Sequence, residues 1–235
     1  VLWPVYLGQA VQCPVCGGRF RHWASSRTSP SRPVRYIRCP RCDALPRMRA
    51  FWSYLREHLH VDARVLHCSP EHGFRKRLES RQREYVTVDL ARVDVDVRSS
   101  LCELPFEDGR FDRVLCCDVL EHIDDDRSAM RELLRVLAPG GIAWVRVPIR
   151  GEQTLEDPSV QDPEERDRLF GQPDHVRFYG LDIRDRLSEA GFEVTIVWLP
   201  GDLNVSSEEL AKGGLGPDEA LFVCRRPGLR SVTTA

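Results

Sequence analysis

Lysine is almost absent from this chain of 235 residues: Lys76 and Lys212 are the only two, so 32 of the 34 basic residues are arginines. This bias is typical of a GC-rich coding genome, and it weakens any argument that a given arginine was selected to bind phosphate. Long apolar runs are also missing. No stretch approaches the ~18 residues of a membrane helix, so no membrane partner is expected. The first residues, Val-Leu-Trp-Pro, lack a signal-peptide layout, and we expect a cytoplasmic protein.

The net charge of −2 conceals an uneven distribution of charge along the chain. Residues 1–60, the basic head, hold ten arginines against Asp43 and Glu57, a formal charge of +8, so the remaining residues carry −10. This asymmetry favours docking of the head onto its own acidic body or onto a second copy of the chain in a homodimer. Nucleic acid is the second choice of partner, because phosphates also bind to basic surfaces.

Nine cysteines, an odd number, in a chain expected to be cytoplasmic argue against a disulfide framework. Four of them form two Cys-x-x-Cys pairs with 22 residues between the pairs: Cys13, Cys16, Cys39 and Cys42. Two such pairs can make a closed tetrahedral site of four thiolates, which suits structural zinc. The alternatives are two unrelated pairs or a redox pair, but the spacing favours zinc. We predict a zinc-binding module over residues 1–45.

Beyond the cysteine pairs, short apolar segments alternate with segments of helical periodicity. Strands are predicted at Arg64–Cys68, Tyr85–Asp89, Val93–Val97, Phe111–Cys117, Ile142–Val147, Phe192–Leu199 and Ala220–Arg225. Helices are predicted at Leu45–Leu59, Gly73–Arg83, Asp125–Leu137 and Leu181–Ala190. This alternation is typical of an α/β fold with a parallel sheet covered on both faces, and the two late strands are expected to pair at a sheet edge. We assign residues 46–60 to a linking helix and residues 61–230 to the α/β domain.

A long polar stretch, residues 150–180, follows the fifth predicted strand, and a loop of this length inside a compact domain is usually a lid or a substrate wall. Alternation in an extended segment would place His175, Arg177 and Tyr179 on one side. These side chains could supply a base, a contact for an anion or carbonyl, and an aromatic wall. The alternative is a surface turn.

Asp89 ends the second predicted strand, at the edge of the sheet where open α/β folds bind ligands. A carboxylate there can accept hydrogen bonds from both hydroxyls of a ribose, in a nicotinamide cofactor or in S-adenosylmethionine. The alternative is an aspartate that only caps the next segment. The Gly-x-Gly-x-x-Gly loop of dinucleotide-binding dehydrogenases is missing, which disfavours a nicotinamide enzyme.

Three further segments carry a family resemblance: LPFEDGRFD at 104–112, VLEHI at 119–123 and ELLRVLAPGG at 132–141. Their order resembles that of the class I S-adenosylmethionine-dependent methyltransferases. The resemblance implies a Rossmann-like sheet of seven strands with the last one antiparallel, and S-adenosyl-L-methionine as cofactor. With the two cysteine pairs, GQPDHVRFYG at 171–180 is similar to a bacterial subgroup of small methyltransferases that carry an N-terminal zinc ribbon.

The first loop departs from the family pattern Asp/Glu-x-Gly-x-Gly-x-Gly, because the aligned stretch is HCSPEHG at 67–73 and only its final glycine is retained. The cofactor assignment therefore depends mainly on Asp89 and the downstream segments. Ser100 stands where many relatives carry an aspartate, and its hydroxyl can accept a hydrogen bond without charge. The cofactor-binding residues implied by the resemblance are His67, Ser69, Pro70, Glu71, Gly73, Asp89, Ser100, Leu101, Cys117 and Asp118.

Methyl transfer requires in-line attack on a sulfonium methyl, exclusion of water and, for an alcohol or phenol acceptor, removal of a proton. We favour His175 as the general base or substrate anchor. Asp118 is expected near the methyl group or the methionine end, with a helix N-cap as the alternative. His122 faces the cleft or bonds a backbone carbonyl. The full set of catalytic candidates is His175, Arg177, Tyr179, Asp118 and His122.

Three functions stay open at this point. The first is an S-adenosylmethionine-dependent methyltransferase acting on a small-molecule substrate, a specialised metabolite or saccharide. The second is an rRNA or tRNA methyltransferase whose basic zinc head binds phosphates. The third is a methyltransferase-like enzyme that catalyses a non-methylating displacement or ring closure, which the altered first loop permits.

Overall fold

The computed structural model of the protein describes residues 3–26, 35–215 and 219–228. These residues fall into two compact units: one from the spans Val1–Val61, Glu71–Arg81 and Val197–Glu219, the other from Asp62–Pro70, Gln82–Ile196 and Ala220–Ala235. Two arginines of the predicted basic head, Arg27 and Arg32, and the predicted domain end at residue 230 lie outside the described residues. Within the described ranges, no helix has the length and apolar character needed to cross a bilayer.

The first unit consists of short strands and helices. Its elements are β1 (Leu7–Gln12), β2 (Arg19–Phe20), β3 (Ala24–Ser26), β4 (Arg35–Arg38), α1 (Pro46–His58), α2 (His72–Leu78) and α6 (Ser207–Gly213), together with 3-10 turns at Trp3–Tyr6 and Glu79–Arg81. β1 pairs with β2 and β3 pairs with β4, both antiparallel. The first cysteine pair lies between β1 and β2, and the second follows β4.

Helix α1 begins at Pro46. Proline lacks an N–H, which is tolerated at this position because N–H groups of the first helical turn have no hydrogen-bond partner within the helix. It buries one face, including Phe51, Trp52 and Leu55. The rings of Phe51 and Trp52 lie 5.9 and 5.3 Å from the ring of Phe74 in α2. The helical spacing of these apolar residues therefore forms a packed face, and α1 is one residue shorter at each end than predicted.

The second unit is organised around a seven-stranded sheet with the order β12-β13-β9-β8-β5-β6-β7. The strands of the unit are β5 (Arg64–Cys68), β6 (Glu84–Asp89), β7 (Val97–Arg98), β8 (Phe111–Cys117), β9 (Leu137–Arg146), β10 (Leu155–Glu156), β11 (Arg177–Phe178), β12 (Glu193–Leu199) and β13 (Glu219–Arg225). Its helices are α3 (Asp126–Val136), α4 (Pro163–Phe170) and α5 (Ile183–Glu189), with a 3-10 turn at Leu120–His122. Neighbouring strands from β9 to β7 are parallel, whereas β13 runs antiparallel to β9.

Burial along the central strands is nearly continuous, as a parallel sheet covered on both faces requires. Four of the five residues of β5 are buried, and so are the last four residues of β8. Leu66, Val114 and Val145 from three neighbouring strands join Met130 and Leu133 of α3 in one apolar core. The predicted α/β fold with a seven-stranded Rossmann-like sheet is therefore confirmed.

Several local predictions differ from the structure. The third strand is Val97–Arg98 and not Val93–Val97, and the Asp96 carboxylate before it accepts hydrogen bonds from the N–H and hydroxyl of Thr87. The fifth predicted strand, Ile142–Val147, begins earlier in the structure: β9 is Leu137–Arg146 and includes Gly140, whose φ is 76° and whose N–H donates to Arg226 O. The stretch 150–180 is not one loop, since it contains α4 and the antiparallel pair β10–β11.

Candidate functional site

The strand order places a topological switch point between β5 and β8. The chain runs outward from β5 to β6 and β7, then returns to β8 on the other side of β5. A crevice at the carboxyl ends of strands on either side of such a point is where open α/β sheets bind ligands. Ser69 follows β5 and Asp118 follows β8, and both have left-handed backbones, with φ of 46° and 54°. Non-glycine residues in this region of φ/ψ space are strained, and they concentrate at functional sites.

Asp89 ends β6 beside the switch point and is held in a fixed orientation. Its Oδ1 accepts hydrogen bonds from the backbone N–H groups of Ala91 and Arg92, at 2.8 and 2.9 Å. Burial opposes ionisation, but the N–H donors of Arg92 and Ala91 and the hydroxyl of Ser69 lower the pKa of Asp89 below its usual value. The carboxylate thus caps the loop that follows β6 through one oxygen. This capping role is the alternative considered from the sequence. The carboxylate also carries negative charge at the edge of the sheet.

Arg92 fixes the loop that follows β5 to the loop that follows β6. Its Nη1 donates to Pro70 O at 2.6 Å, while Nε and Nη2 donate to the carboxylate of Asp94 at 2.9 and 2.7 Å. The Ser69 N–H donates to Val88 O at 2.8 Å. Ser69, Pro70 and Asp89, three of the predicted cofactor-binding residues, are therefore brought together in the second unit.

Asp118 forms an ion pair with the buried Arg146, the last residue of β9. The pair joins Asp118 Oδ2 to Arg146 Nη2, and the Asp118 N–H donates to Arg146 O at 2.8 Å. Asp118 is not the N-cap considered from the sequence; the 3-10 turn after it is preceded by Val119. Sequence reasoning missed Arg146, although a charged residue inside the apolar strand Ile142–Val147 is a signal that could have identified it, since buried charges are almost always paired.

The other predicted cofactor-binding residues of the second unit lie in strands of the sheet or in the segment after β7. His67 is fully buried inside β5, with Nδ1 2.7 Å from the hydroxyl of Tyr85 on β6. Cys117 is the last, buried residue of β8, and Leu101 belongs to the apolar core. The Ser100 hydroxyl accepts a hydrogen bond from the Cys102 N–H at 3.1 Å.

Glu71 and Gly73 lie in the first unit, at the start of α2. Glu71 occupies the N-cap position of this helix without a side-chain capping bond. A Cβ added at Gly73 would lie 3.2 Å from Cys42 O and 3.4 Å from Cγ1 of Val15. Packing against the cysteine pairs thus gives Gly73 a structural reason to lack a side chain, and its predicted role at the cofactor stays a prediction.

Arg177 and Tyr179 are buried, and their polar atoms bind groups of the protein itself. Arg177 Nη2 donates to Asp124 O at 2.8 Å, and Nη1 donates to Leu120 O at 3.2 Å and to Ile123 O. The Tyr179 hydroxyl donates to Asp126 Oδ2 at 2.6 Å, and burial raises the pKa of this phenol. These contacts hold segment 120–126 against β11, so both side chains position the loop that carries His122.

His175 and His122 meet beside that loop, with ring centroids 4.7 Å apart at an angle of 86°. Nδ1 of the buried His175 lies 2.9 Å from Phe170 O, an atom that only accepts, so Nδ1 carries the proton and Nε2 presents a lone pair. Burial lowers the pKa of His175, which favours this neutral form. His122 Nδ1 contacts Asp174, at 3.3 Å from its backbone oxygen and 3.2 Å from Oδ2.

Glu121 completes this group, which we call the Glu-His-His cluster (Glu121, His122 and His175). One ligand atom from each side chain lies within 4.8 Å of the others. Glu121 is only 1% exposed. Sequence reasoning did not single out Glu121, because its buried position beside two histidines depends on the return of the chain at residue 175.

The four predicted metal ligands, Cys13, Cys16, Cys39 and Cys42, form one cluster. Sγ of Cys13 lies 3.7 Å from that of Cys42, Sγ of Cys16 lies 3.6 Å from that of Cys39, and all four sulfurs lie within 4.8 Å of one another. Four sulfurs around a tetrahedral zinc ion with Zn–S bonds of about 2.3 Å are about 3.8 Å apart. The donor set therefore fits zinc in both number and spacing.

Residues 50–145 match a family model described as a methyltransferase domain. Among curated proteins, the chain is similar to norajmaline N-methyltransferase of Rauvolfia serpentina, with 45% identity over 49 residues, 21% of this chain and 16% of the relative. It is also similar to ajmaline N-methyltransferase of the same organism, with 32% identity over 76 residues, 32% and 26% of the two chains. The methyltransferase GfsG of Streptomyces halstedii is 39% identical over 67 residues, 28% of this chain and 23% of GfsG. The chain thus spans about a quarter or less of these relatives.

Solved structures share the fold at low sequence identity. The [4+2]-cyclase SpnF superposes with a TM-score of 0.56 at 15% identity, over 77% of this chain and 82% of SpnF. An S-adenosylmethionine-dependent methyltransferase of Mesorhizobium loti gives a TM-score of 0.53 at 16% identity, over 75% and 98%. Phosphoethanolamine N-methyltransferase 2 of Haemonchus contortus, solved with S-adenosyl-L-methionine, gives 0.52 at 18% identity, over 76% and 52%.

Proposed function

We propose that the protein is an S-adenosylmethionine-dependent methyltransferase acting on a small-molecule acceptor, because residues 50–145 match a methyltransferase domain. One observation carries the proposal: two strained residues, Ser69 and Asp118, and the charged Asp89 surround the carboxyl ends of β5, β6 and β8. This is the edge of the sheet where the fold binds its cofactor.

Asp89 is the residue we assign to the ribose of the cofactor. Its Oδ1 is engaged by two backbone N–H groups, which fixes the carboxylate without neutralising it. An oriented carboxylate forms strong hydrogen bonds with hydroxyl donors. Ser69 and Pro70 would border the same cofactor, because both lie in the loop that Arg92 holds beside Asp89.

The Glu-His-His cluster is the proposed acceptor side of the site. The cluster lies near the carboxyl end of β8, because Glu121 and His122 belong to the 3-10 turn that begins two residues after Asp118. Nε2 of His175 can accept a hydrogen bond from a hydroxyl or amine and so anchor the acceptor. Arg177 and Tyr179 have a positioning role, since they hold the loop that carries His122.

We further propose that the four-cysteine cluster holds one structural zinc ion. The sulfur spacing and the number of thiols support it. Zinc bound there would tie the segment before β2 to the segment after β4 and would supply folding free energy to a module with few apolar residues. No coordination position is left for chemistry, so we assign the ion no part in the reaction.

A small-molecule acceptor is supported by two relatives that are named as N-methyltransferases of norajmaline and ajmaline. One observation favours a second candidate, a non-methylating reaction of a methyltransferase-like enzyme: the [4+2]-cyclase SpnF shares the fold. The altered loop after β5 is compatible with either reaction, because it changes how the backbone approaches the cofactor and not which atoms react.

The test is an incubation with S-adenosylmethionine labelled in its methyl group, offered in parallel with a bacterial small-molecule extract and with bulk bacterial RNA. The proposal predicts label in the small-molecule fraction, with one S-adenosylhomocysteine formed per labelled product. Label in RNA would support the nucleic-acid alternative. Thioether released without label in any product would support a displacement, and either result would overturn the proposal.

A matched variant ties the activity to the site. His175→Ala removes the proposed acceptor anchor and leaves the residues around Asp89 intact, so we expect turnover to fall at least about tenfold with unchanged cofactor affinity. His60→Ala, at an exposed histidine, is the control and should behave as the wild type. Unchanged turnover in His175→Ala would remove this residue from the mechanism.

A further inference from the structure

The Glu-His-His cluster has the composition of a metal site as well as that of an acceptor site. Two imidazoles and one carboxylate, with an open fourth position, are a common ligand set of catalytic zinc. Within the part of the chain that the structure describes, the four cysteines and this cluster are the two groups whose side chains could hold an ion. No thiol belongs to the second group, so its chemistry is distinct from that of the first.

Both histidines are oriented as metal ligands usually are. A ligating histidine commonly donates its other ring N–H to a carboxylate or a backbone carbonyl, which fixes the tautomer and the ring orientation. His175 has its Nδ1 2.9 Å from Phe170 O, and His122 has its Nδ1 3.2 Å from Asp174 Oδ2. Since only acceptors face the two Nδ1 atoms, each Nε2 presents a lone pair.

Nε2 of His175 supplies an independent observation that points to a ligand. The side chain is 3% exposed, and among the described residues no hydrogen-bond partner reaches this nitrogen. A buried polar atom without a partner is destabilising, and such an atom is explained by a bound water, a bound ion or a functional role. His122, with 32% of its side chain exposed, provides the side from which an ion can enter.

The spacing is compatible with one small divalent ion. The ligand atoms lie within 4.8 Å of one another. Around zinc, with bonds of about 2.0–2.2 Å, they would be about 3.4 Å apart, so the side chains need to close by no more than about 1.4 Å. The carboxylate of Glu121 contributes the negative charge that offsets part of the charge of a divalent ion.

We propose that Glu121, His122 and His175 bind a divalent transition-metal ion of the zinc class. Its open position would hold a hydroxyl or amine of the acceptor and would make that group easier to deprotonate. This use of the ion rests on the proposed function, whereas binding of the ion does not. The proposed class of acceptor is accordingly limited to molecules that present an oxygen or nitrogen donor to a metal.

The test uses the full-length protein with one equivalent of zinc in its cysteine cluster, titrated with cobalt(II) under anaerobic conditions. We expect one further equivalent of metal, with visible ligand-field bands and no thiolate charge-transfer bands, because the second site contains only nitrogen and oxygen donors. Glu121→Gln and His122→Ala should each weaken cobalt binding by more than about tenfold. Asp174→Asn, which changes the partner of a ligand, should weaken it by about tenfold.

Exposed positions supply matched controls: Glu152→Gln and His60→Ala should bind cobalt as the wild type does. Near-ultraviolet circular dichroism and S-adenosylmethionine affinity, measured on the same samples, report whether each variant is folded. Failure of the wild type to take up a second equivalent overturns the metal site. So does wild-type cobalt affinity in both Glu121→Gln and His122→Ala. S-adenosylmethionine binding without a second metal would refute this inference alone and leave the proposed function standing.

Discussion

Glu156 joins the buried Arg177 on β11 to the partly buried Arg186 on α5. Its Oε2 accepts from Arg177 Nε at 2.8 Å, and its Oε1 accepts from Arg186 Nη2 at 2.7 Å. Hydrogen bonds from Arg186, acting against burial and joined by those from Arg177, lower the pKa of Glu156 to about 2. Since Arg177 also binds the carbonyls of segment 120–124, this carboxylate indirectly stabilises the loop beside the Glu-His-His cluster.

The depressed pKa of Glu156 makes its contribution to stability depend on pH. The contribution is fully present above the ordinary pKa of 4.5 and is lost as pH falls toward the folded value of about 2. We therefore expect Glu156→Gln to lower the free energy of unfolding near neutral pH, and the gap to the wild type to narrow progressively below about pH 4.5. Urea unfolding at several pH values measures both.

Acid also protonates the cysteine thiolates, but it does so in both proteins, so only the difference between them is informative. Glu152→Gln, four residues earlier and exposed, is the control for loss of a surface carboxylate. If the difference in unfolding free energy between the wild type and Glu156→Gln stayed constant down to pH 3, pairing with the two arginines would not be what lowers the pKa of Glu156.

At the scale of elements, Arg49 of α1 connects α6 to the cysteine-bearing segments. Its guanidinium is fully buried and donates to the backbone oxygens of Gly213, Gly214, Ala44 and Ile37 at 2.6–2.9 Å. Burial lowers the pKa of Arg49 to about 10, so the side chain stays charged near neutral pH.

Replacement of Arg49 by lysine tests this connection. Lysine keeps the charge but lacks the planar fork that reaches four carbonyls, so we expect a loss of about 2–4 kcal/mol in the free energy of unfolding. Amides of α6 should exchange hydrogen faster than in the wild type. Arg56→Lys, at a side chain 44% exposed on the same helix, should change stability by less than about 0.5 kcal/mol. Equal behaviour of the two variants would contradict the assignment.

The elements of the sheet could be predicted from the sequence because short apolar segments alternate with periodic ones. α6 could not, because its residues SEELAKG contain little apolar periodicity and it depends on a capping box at Ser206 and on Arg49. At the site, Asp89 and the four cysteines followed from position and spacing. The ion pair of Asp118 with Arg146 and the proximity of Glu121 to His175 could not be predicted, because each joins residues far apart in the chain.

At the scale of the whole molecule, two units depend on different forces. The second unit has a continuous apolar core around β5, β8 and β9. The first unit holds β1–β4, whose strands are two to six residues long and whose buried residues include Cys13, Cys16 and Cys39. Short strands of this kind are not stable alone, so we expect the first unit to depend on the zinc ion proposed for its four cysteines.

Removal of the metal should therefore affect the units unequally. With a strong chelator at neutral pH, we expect amides of β1–β4 to lose protection in hydrogen exchange followed by mass spectrometry, while those of β5, β8 and β9 keep theirs. Cys16→Ser should reproduce the effect without chelator, whereas Cys102→Ser, outside the cluster, should not. Unchanged protection of β1–β4 after verified loss of zinc would contradict the proposed structural role.

The central claim is that S-adenosylmethionine binds at the carboxyl edge of the sheet through Asp89, and calorimetric titration tests it most directly. Asp89→Asn keeps an oxygen for the N–H groups of Ala91 and Arg92 but loses the charge and one acceptor. We predict one bound S-adenosylmethionine in the wild type and in the exposed control Asp185→Asn, and at least about tenfold weaker binding in Asp89→Asn. No binding to the wild type, or equal affinity in Asp89→Asn, would contradict the account.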